Sequence, residues 1–336
     1  MRVRVDGAPP ARVLVRAPNW IGDVVLSLAA VRDLRANLPL ARIEVLARPW
    51  VAELYRAVRE VDAVRVAGSF RADVDALGGA FDAAVLLPNS FASALQAWLA
   101  RIPERWGYAT DGRGPLLTRA ARVRPQVRRR SQVYYYRAML GGVGLRVSAS
   151  PDVSLSCPPD WALAGDRLLS GGGDGPWVGI NAGASYGTAK RWLPERFAAV
   201  ADTLAREGAR IAVIGGAAER QVGEAIAAQA MAPVRVLCGE TTLGELGGVL
   251  SRLRALVTND SGPMHLAAAL GVPVVAVFGP TDWRETGPVG DLHRLVFEKV
   301  HCSPCGLREC PIDHRCMRRV SADRVLGEVG AVLGGA

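Results

Sequence analysis

Lysine is nearly missing from this 336-residue sequence: of its 41 basic residues only Lys190 and Lys299 are lysines. Where arginine is used almost everywhere, a lysine suggests a compact point charge rather than a planar fork. Long apolar runs are also missing. None reaches the ~18 residues that would suggest a membrane span, and the start, Met1 to Pro10, carries Arg2, Arg4 and Asp6 in place of the apolar core of a secretory signal. These absences predict a cytoplasmic protein, with a peripheral membrane contact left open. In that compartment its six cysteines stay reduced. Aromatic residues make up only 6% of the chain, and beyond Tyr134-Tyr135-Tyr136 they do not interleave with basic residues. With no recognised nucleic-acid module either, nucleic acid is not an expected partner. No Gly-x-Gly-x-x-Gly follows the first strand, which argues against a dinucleotide oxidoreductase.

What is present is a globular, α/β-type composition in two halves of different charge. Half of the residues are hydrophobic, enough for two domains that each bury a core. Residues 1–165 hold 23 arginines against 14 acidic residues, and the remainder is balanced at 18 of each. The whole excess of +9 therefore lies in the first half. Such a bias is either a solvated arginine-rich face or the footprint of an anionic partner.

From Ala11 onward short β-branched runs alternate with amphipathic stretches. Strands are expected at 12–15, 43–46, 64–66 and 83–87, with helices at 23–37, 51–58, 90–100 and 132–140; residues 119–130 read as an irregular basic stretch. Pro151, Pro158, Pro159 and the run from Gly171 to Pro176 read as a linker. The alternation then resumes, with strands at 178–181, 211–214, 234–237, 255–258 and 274–277 and a last helix at 322–333. The expected architecture is α/β, with two doubly wound, Rossmann-like domains facing across a cleft: 1–165, 166–320, and a C-terminal helix in 321–336 that packs back across the joint. Ligands of open α/β sheets sit beyond the carboxyl ends of the strands.

Four segments at such strand ends carry candidate chemistry. Asn19-Trp20-Ile21-Gly22-Asp23 joins the first strand to a long helix, where Asp23 either merely caps the helix or faces the expected cleft as a functional carboxylate. The segment Asn181 to Trp192, with Gly183 and Ser185 among its small residues, lets backbone approach an anion and ends on Lys190. Gly215-Gly216-Ala217-Ala218-Glu219 places an acidic side chain either to bind ribose hydroxyls or to complement a helix dipole. Asp260-Ser261-Gly262-Pro263-Met264-His265 turns from strand into helix, with Pro263 suited to the first turn and N–H groups around Ser261 to Met264 free to face a phosphate. Thr281, after the next strand, supplies the other wall. His265 alone more often marks a hydrogen-bonded interior histidine than a catalyst.

Taken together, Asn19-Trp20-Ile21-Gly22-Asp23, Ala189-Lys190-Arg191-Trp192, the run from Asn259 to Ala269 and Phe278-Gly279-Pro280-Thr281 resemble the ADP-heptose:lipopolysaccharide heptosyltransferases, a glycosyltransferase family 9 group. The Asn-Trp-Ile-Gly-Asp form and the cysteine cluster at 302–316 resemble the type II branch. The resemblance implies a GT-B fold, an ADP-heptose donor in the C-terminal domain, and an anionic lipopolysaccharide inner-core acceptor on the N-terminal one, met at the cytoplasmic surface of the inner membrane. It implies inversion without a metal or other cofactor. By the same carry-over Asp23 would be the base, Lys190 would hold the diphosphate, Glu219 the ribose and Asp260 the heptose hydroxyls. Arg128, Arg129 and Arg130, with Asn19 and Trp20, are the candidates on the acceptor side. Ala182 and Leu193 stand where the family often has proline. Rival readings are a nucleotide-sugar 2-epimerase, another GT-B transferase, or a non-catalytic nucleotide-sugar-binding protein.

Cys302, Cys305, Cys310 and Cys316, with His301 and His314, crowd a short segment before the last helix. Their Cys-x-x-Cys start admits a tetrahedral zinc site. The irregular spacing and the compartment favour a reduced, packed loop, with a disulfide last.

Overall fold

The computed structural model describes residues 9–127, 130–171 and 173–334. The chain divides into two compact units, residues 1–153 and 154–336. The first holds β1 (Arg12–Arg16), α1 (Ile21–Asn37), β2 (Arg42–Ala47), α2 (Pro49–Arg56), β3 (Ala63–Val66), α3 (Phe70–Leu77), β4 (Ala83–Leu86), α4 (Phe91–Leu99), β5 (Glu104–Tyr108), β6 (Arg119–Ala121) and α5 (Gln132–Gly142). The second holds α6 (Pro159–Leu168), β7 (Trp177–Asn181), α7 (Pro194–Arg206), β8 (Arg210–Val213), α8 (Arg220–Gln229), β9 (Val234–Val236), α9 (Leu243–Ser251), β10 (Leu253–Asn259), α10 (Gly262–Ala269), β11 (Val274–Phe278), α11 (Trp283–Thr286), β12 (Arg294–Phe297), α12 (Arg315–Arg318) and α13 (Ala322–Gly334).

Each unit is built on a six-stranded sheet, ordered β3-β2-β1-β4-β5-β6 in the first and β12-β11-β10-β7-β8-β9 in the second. Every recorded pairing is parallel. The central strands are short β-branched runs buried along their length, as sheets covered on both faces require. In both sheets the strand order reverses beside the first strand, between β1 and β4 and between β7 and β10. The loops leaving those four strands converge at the two switch points, where doubly wound sheets bind ligands.

Helix α1 shows no polar stripe because almost all of it is covered: ten of its 17 residues, from Val24 to Leu34, are buried. It packs against α5. The buried Asp33 and Arg137 join the two helices through a 2.8 Å contact, with Ser148 N donating to the other Asp33 oxygen.

Three differences from the sequence expectation have local causes. The stretch at 119–130 is not wholly irregular: Arg119–Ala121 forms an edge strand beside β5, whose own sequence, Glu-Arg-Trp-Gly-Tyr, has no β-branched residue to announce it. Pro158 and Pro159 do not extend a linker but open α6, since a proline in the first turn costs no hydrogen bond. That helix lies in the second unit against α9, at a closeness only glycine allows: a Cβ on Gly248 would stand 1.8 Å from the Trp161 carbonyl oxygen. The division of the chain consequently falls before α6. Helix α13 packs on α7 and on β10, β11 and β12 of the second unit, burying Val325, Val329 and Val332. Each such valine contributes ~1.5 to 3 kcal/mol. Among the described residues no helix is long and apolar enough to cross a membrane.

Candidate active site

In the second unit the loops after β7 and β10 are tied together by two buried asparagines. Asn259, at the end of β10, accepts from Trp192 N at 3.0 Å and donates through Nδ2 to the Ala182 carbonyl at 2.7 Å. Asn181, at the end of β7, donates to Ile214 O at 3.0 Å and accepts from Ser261 Oγ at 2.8 Å. Side-chain amides suit this task because each offers a donor and an acceptor to two partners at once. Into this frame falls Lys190, whose Nζ lies 2.7 Å from Asp260 Oδ2 and 4.9 Å from the centre of the Tyr186 ring. The same carboxylate oxygen accepts from Thr281 Oγ1 at 2.6 Å and from Thr286 Oγ1 at 3.0 Å. The result is a nearly buried ion pair at the switch point, with a cation whose single charge can pass to a stronger anion.

Around it stand the other donor-side candidates. Ser261 is the N-cap of α10, and its hydroxyl accepts from Met264 N at 3.4 Å, so that N–H is not free as expected. Pro263 sits in the first turn beside Gly262. Glu219 receives a hydrogen bond from Gly216 N at 2.7 Å and lies over Gly183, where a Cβ would come within 1.8 Å of Oε1. Gly183 is thus a close-approach glycine, and its neighbour Ser185 is exposed on the loop. His265 is buried, but its Nδ1 has no partner, contrary to the hydrogen-bonded interior histidine the sequence favours. Burial holds its pKa down to about 4, against the pull of Asp260, so the ring is neutral at ordinary pH.

The cysteine-rich segment braces this loop from outside. Ala189 N donates to Arg308 O at 2.9 Å, His314 Nε2 stands 2.7 Å from Ala189 O, and Tyr186 OH donates to Gly306 O at 2.9 Å. All six cysteines are free thiols. Cys310 Sγ accepts from His314 N, and Cys316 is buried, its pKa pushed up to about 11 by desolvation and then by the neighbouring Cys302 and Cys310. Among the described residues no group of three or more His, Cys, Asp or Glu is arranged to hold a metal.

In the first unit Asp23 lies in the first turn of α1, whose N-cap is Trp20. Tyr136, from α5, donates its hydroxyl to Asp23 Oδ1 at 2.9 Å. Burial, then the Asp23 charge, raises the Tyr136 pKa well above its usual value, so the phenol keeps its proton and remains a donor. Trp20 is 58% exposed beside the exposed Asn19, whose carbonyl accepts from Trp50 Nε1 at 2.8 Å.

The sequence profile of glycosyltransferase family 9 (heptosyltransferase) matches residues 73–315. The chain belongs to this family. It is 32% identical to lipopolysaccharide heptosyltransferase 2 of Salmonella typhimurium, over 96% of this chain and 98% of that one, and 31% identical to the Escherichia coli protein of the same name over the same shares. Among solved structures, the E. coli ADP-heptose lps heptosyltransferase II matches with a TM-score of 0.85 at 30% identity, covering 96% of this chain and 99% of that one. An E. coli heptosyltransferase solved with ADP matches with a TM-score of 0.73 at 20% identity, covering 96% and 99%, a likeness of fold. The fold class is GT-B, and the protein is a heptosyltransferase.

For this heptosyltransferase the structure gathers Lys190, Asp260 and Thr281 into one contact set with Ser261 on the adjoining cap, while Glu219 and Gly183 form a second pair beside them. Arg128 and Arg129 lie outside the described residues. Arg130 stacks over its own neighbour Tyr134 at 4.4 Å. Sequence reasoning missed Tyr136 and Thr286. Tyr136 stood in view in the Tyr134-Tyr135-Tyr136 run, where helical periodicity would have singled out the tyrosine on the buried face.

Proposed function

We propose that this heptosyltransferase is an inverting enzyme of the type II kind, moving L-glycero-D-manno-heptose from ADP-heptose onto a heptose of the lipopolysaccharide inner core. The observation that carries the reading is the Lys190–Asp260 pair at the switch point of the second sheet, held by Thr281 and Thr286. In the reaction the acceptor hydroxyl oxygen attacks the anomeric carbon as its proton passes to Asp23. The bond from that carbon to the β-phosphate oxygen breaks, and ADP leaves with the electron pair. Lys190 turns from Asp260 to the departing diphosphate, where a cation is worth most as charge develops. Asp260, so released, accepts from heptose hydroxyls, and Glu219 accepts from those of the ribose. Ser261, Gly262, Pro263, Met264 and His265 flank the nucleotide with Thr281, Gly183 and Ser185. One displacement inverts the anomeric centre, so one base suffices and no second carboxylate is required.

The names of the matched relatives support the donor and the acceptor, as does the confinement of the positive excess to the first half. Incubation with ADP-heptose and a heptose-terminated inner-core acceptor, followed by NMR of the product, tests the reading. Transfer with an inverted anomeric configuration is expected. Retention, an epimerised donor, or hydrolysis without transfer would reject it.

A further inference from the structure

The carboxyl-end loops of the first sheet enclose a polar pocket of about 120 Å3, on whose lining stands one residue of the motifs above, Asn19. Its lining includes Arg16, the last residue of β1, and Arg48, just past the end of β2, with Ser90, the N-cap of α4, and Ser93 and Gln96 within that helix. Arg16 is only 8% exposed. Its Nη1 donates to Leu46 O at 2.9 Å, while Nε and Nη2 have no acceptor among the described residues. The guanidinium of Arg48 has neither a hydrogen bond nor an ion pair among them. The one carboxylate on the lining, Asp73, is occupied by neutral donors: Gly68 N at 2.8 Å on one oxygen and Gln96 Nε2 at 3.1 Å on the other.

Two like charges are thus held on one small concavity. Burial, and next the Arg48 charge, lower the pKa of Arg16, with Asp73 offsetting part of that cost. Arg16, nearly buried beside the half-buried Arg48 and without an ion-pair partner among the described residues, carries a cost that an arriving anion would offset. The first turn of α4 on the same wall adds a favourable dipole. We propose that this pocket binds an anionic substituent, a phosphate or a carboxylate, of the saccharide acceptor, with Arg48 and Arg16 as its guanidinium donors. The assignment to the acceptor rests on reading the first unit as the acceptor side.

Arg48→Gln is the variant of choice, because among the described residues this side chain has no hydrogen bond or ion pair to lose. Calorimetric titration of the full chain with inorganic phosphate, under saturating ADP so that the donor side is filled, should show binding that weakens at least tenfold (~10-fold or more) in Arg48→Gln. Equal phosphate binding in the two proteins overturns the pocket. In the transfer assay the variant should raise the acceptor KM by ~10- to 100-fold while ADP affinity stays as it was. If the penalty disappears once the acceptor is treated with phosphatase, the bound group is a phosphate; if it persists, a carboxylate. An unchanged KM on both acceptors overturns the proposal. A chain that transfers no heptose, yet binds phosphate through Arg48, would reject the proposed function and leave the pocket standing.

Discussion

Lys190 and Asp260 meet at 2.7 Å across the switch point of the second sheet, and both are nearly buried. The carboxylate has two threonine hydroxyls to fall back on, Thr281 and Thr286; the ammonium has, besides it, the face of Tyr186. The pair therefore keeps the cation dry and in place until a diphosphate competes for it. Lys190→Ala should weaken ADP binding by ~1.5 to 3 kcal/mol, the worth of a charge-assisted hydrogen bond. Calorimetry returning the wild-type ADP affinity would remove Lys190 from the donor site.

Asp23→Asn should lower turnover by ~10²-fold or more and leave donor affinity nearly intact. Tyr136 acts through Asp23 by donating one hydrogen bond to it, so Tyr136→Phe should cost less, ~10-fold in kcat. Steady-state kinetics on both variants decide the matter, and near-normal turnover in Asp23→Asn would end its candidacy as the base.

Because the positive excess lies wholly before residue 166, acceptor affinity should fall with salt more steeply than ADP-heptose affinity. Binding measured from low salt to ~0.5 M, where exposed charges are largely screened, gives the two slopes. Equal slopes would count against an electrostatic acceptor unit.

His265 links stability to acid. Its folded pKa of about 4 lies below the ordinary 6.5, so between these values the unfolded chain binds the proton more readily than the folded one. The contribution is fully present above pH ~6.5 and is lost as the pH falls towards ~4, about 3 kcal/mol in all. Urea unfolding of the wild type and of His265→Leu across this range should show the difference between them changing in that direction; a constant difference would show that the histidine is protonated alike in both states.

Cys310 and His314 already have partners in each other and in Ala189, which leaves them poorly placed as zinc ligands. The purified protein should carry less than stoichiometric zinc, and chelation should leave transfer intact. Elemental analysis finding one tightly held zinc per chain, lost together with the fold on chelation, would reverse this.

How much was legible in sequence depends on how local each feature is. Asp23, Lys190 and Asp260 each follow a strand and precede or end a compact turn, so strand-end reasoning found them one by one. That Lys190 and Asp260 touch was not legible, because 70 residues separate them and only the sheet order brings β7 beside β10. Arg16 and Arg48 were invisible for the same reason: each looks like one more arginine among many, until the parallel pairing of β1 with β2 sets the two strand ends side by side. Two strands went unread because β-branched residues are scarce in them: the interior β5, Glu-Arg-Trp-Gly-Tyr, has none, and the edge strand β12, Arg-Leu-Val-Phe, has one. Pro159 was misjudged because the same residue that breaks a helix in its middle begins one at its first turn.

The brace on the Lys190 loop also has a consequence in time. The imidazole that faces the Ala189 carbonyl lies 125 residues further along the chain, and the carbonyl that receives the Tyr186 hydroxyl lies 120 residues beyond it. A polypeptide emerges from the ribosome N-terminal end first, at ~5 to 20 residues per second. The first unit can therefore be complete while the nucleotide loop still lacks its outer wall, and only the arrival of the cysteine-rich stretch closes it. A nascent or prematurely terminated chain ending before that stretch would carry Asp23 and both pocket arginines but an unbraced Lys190.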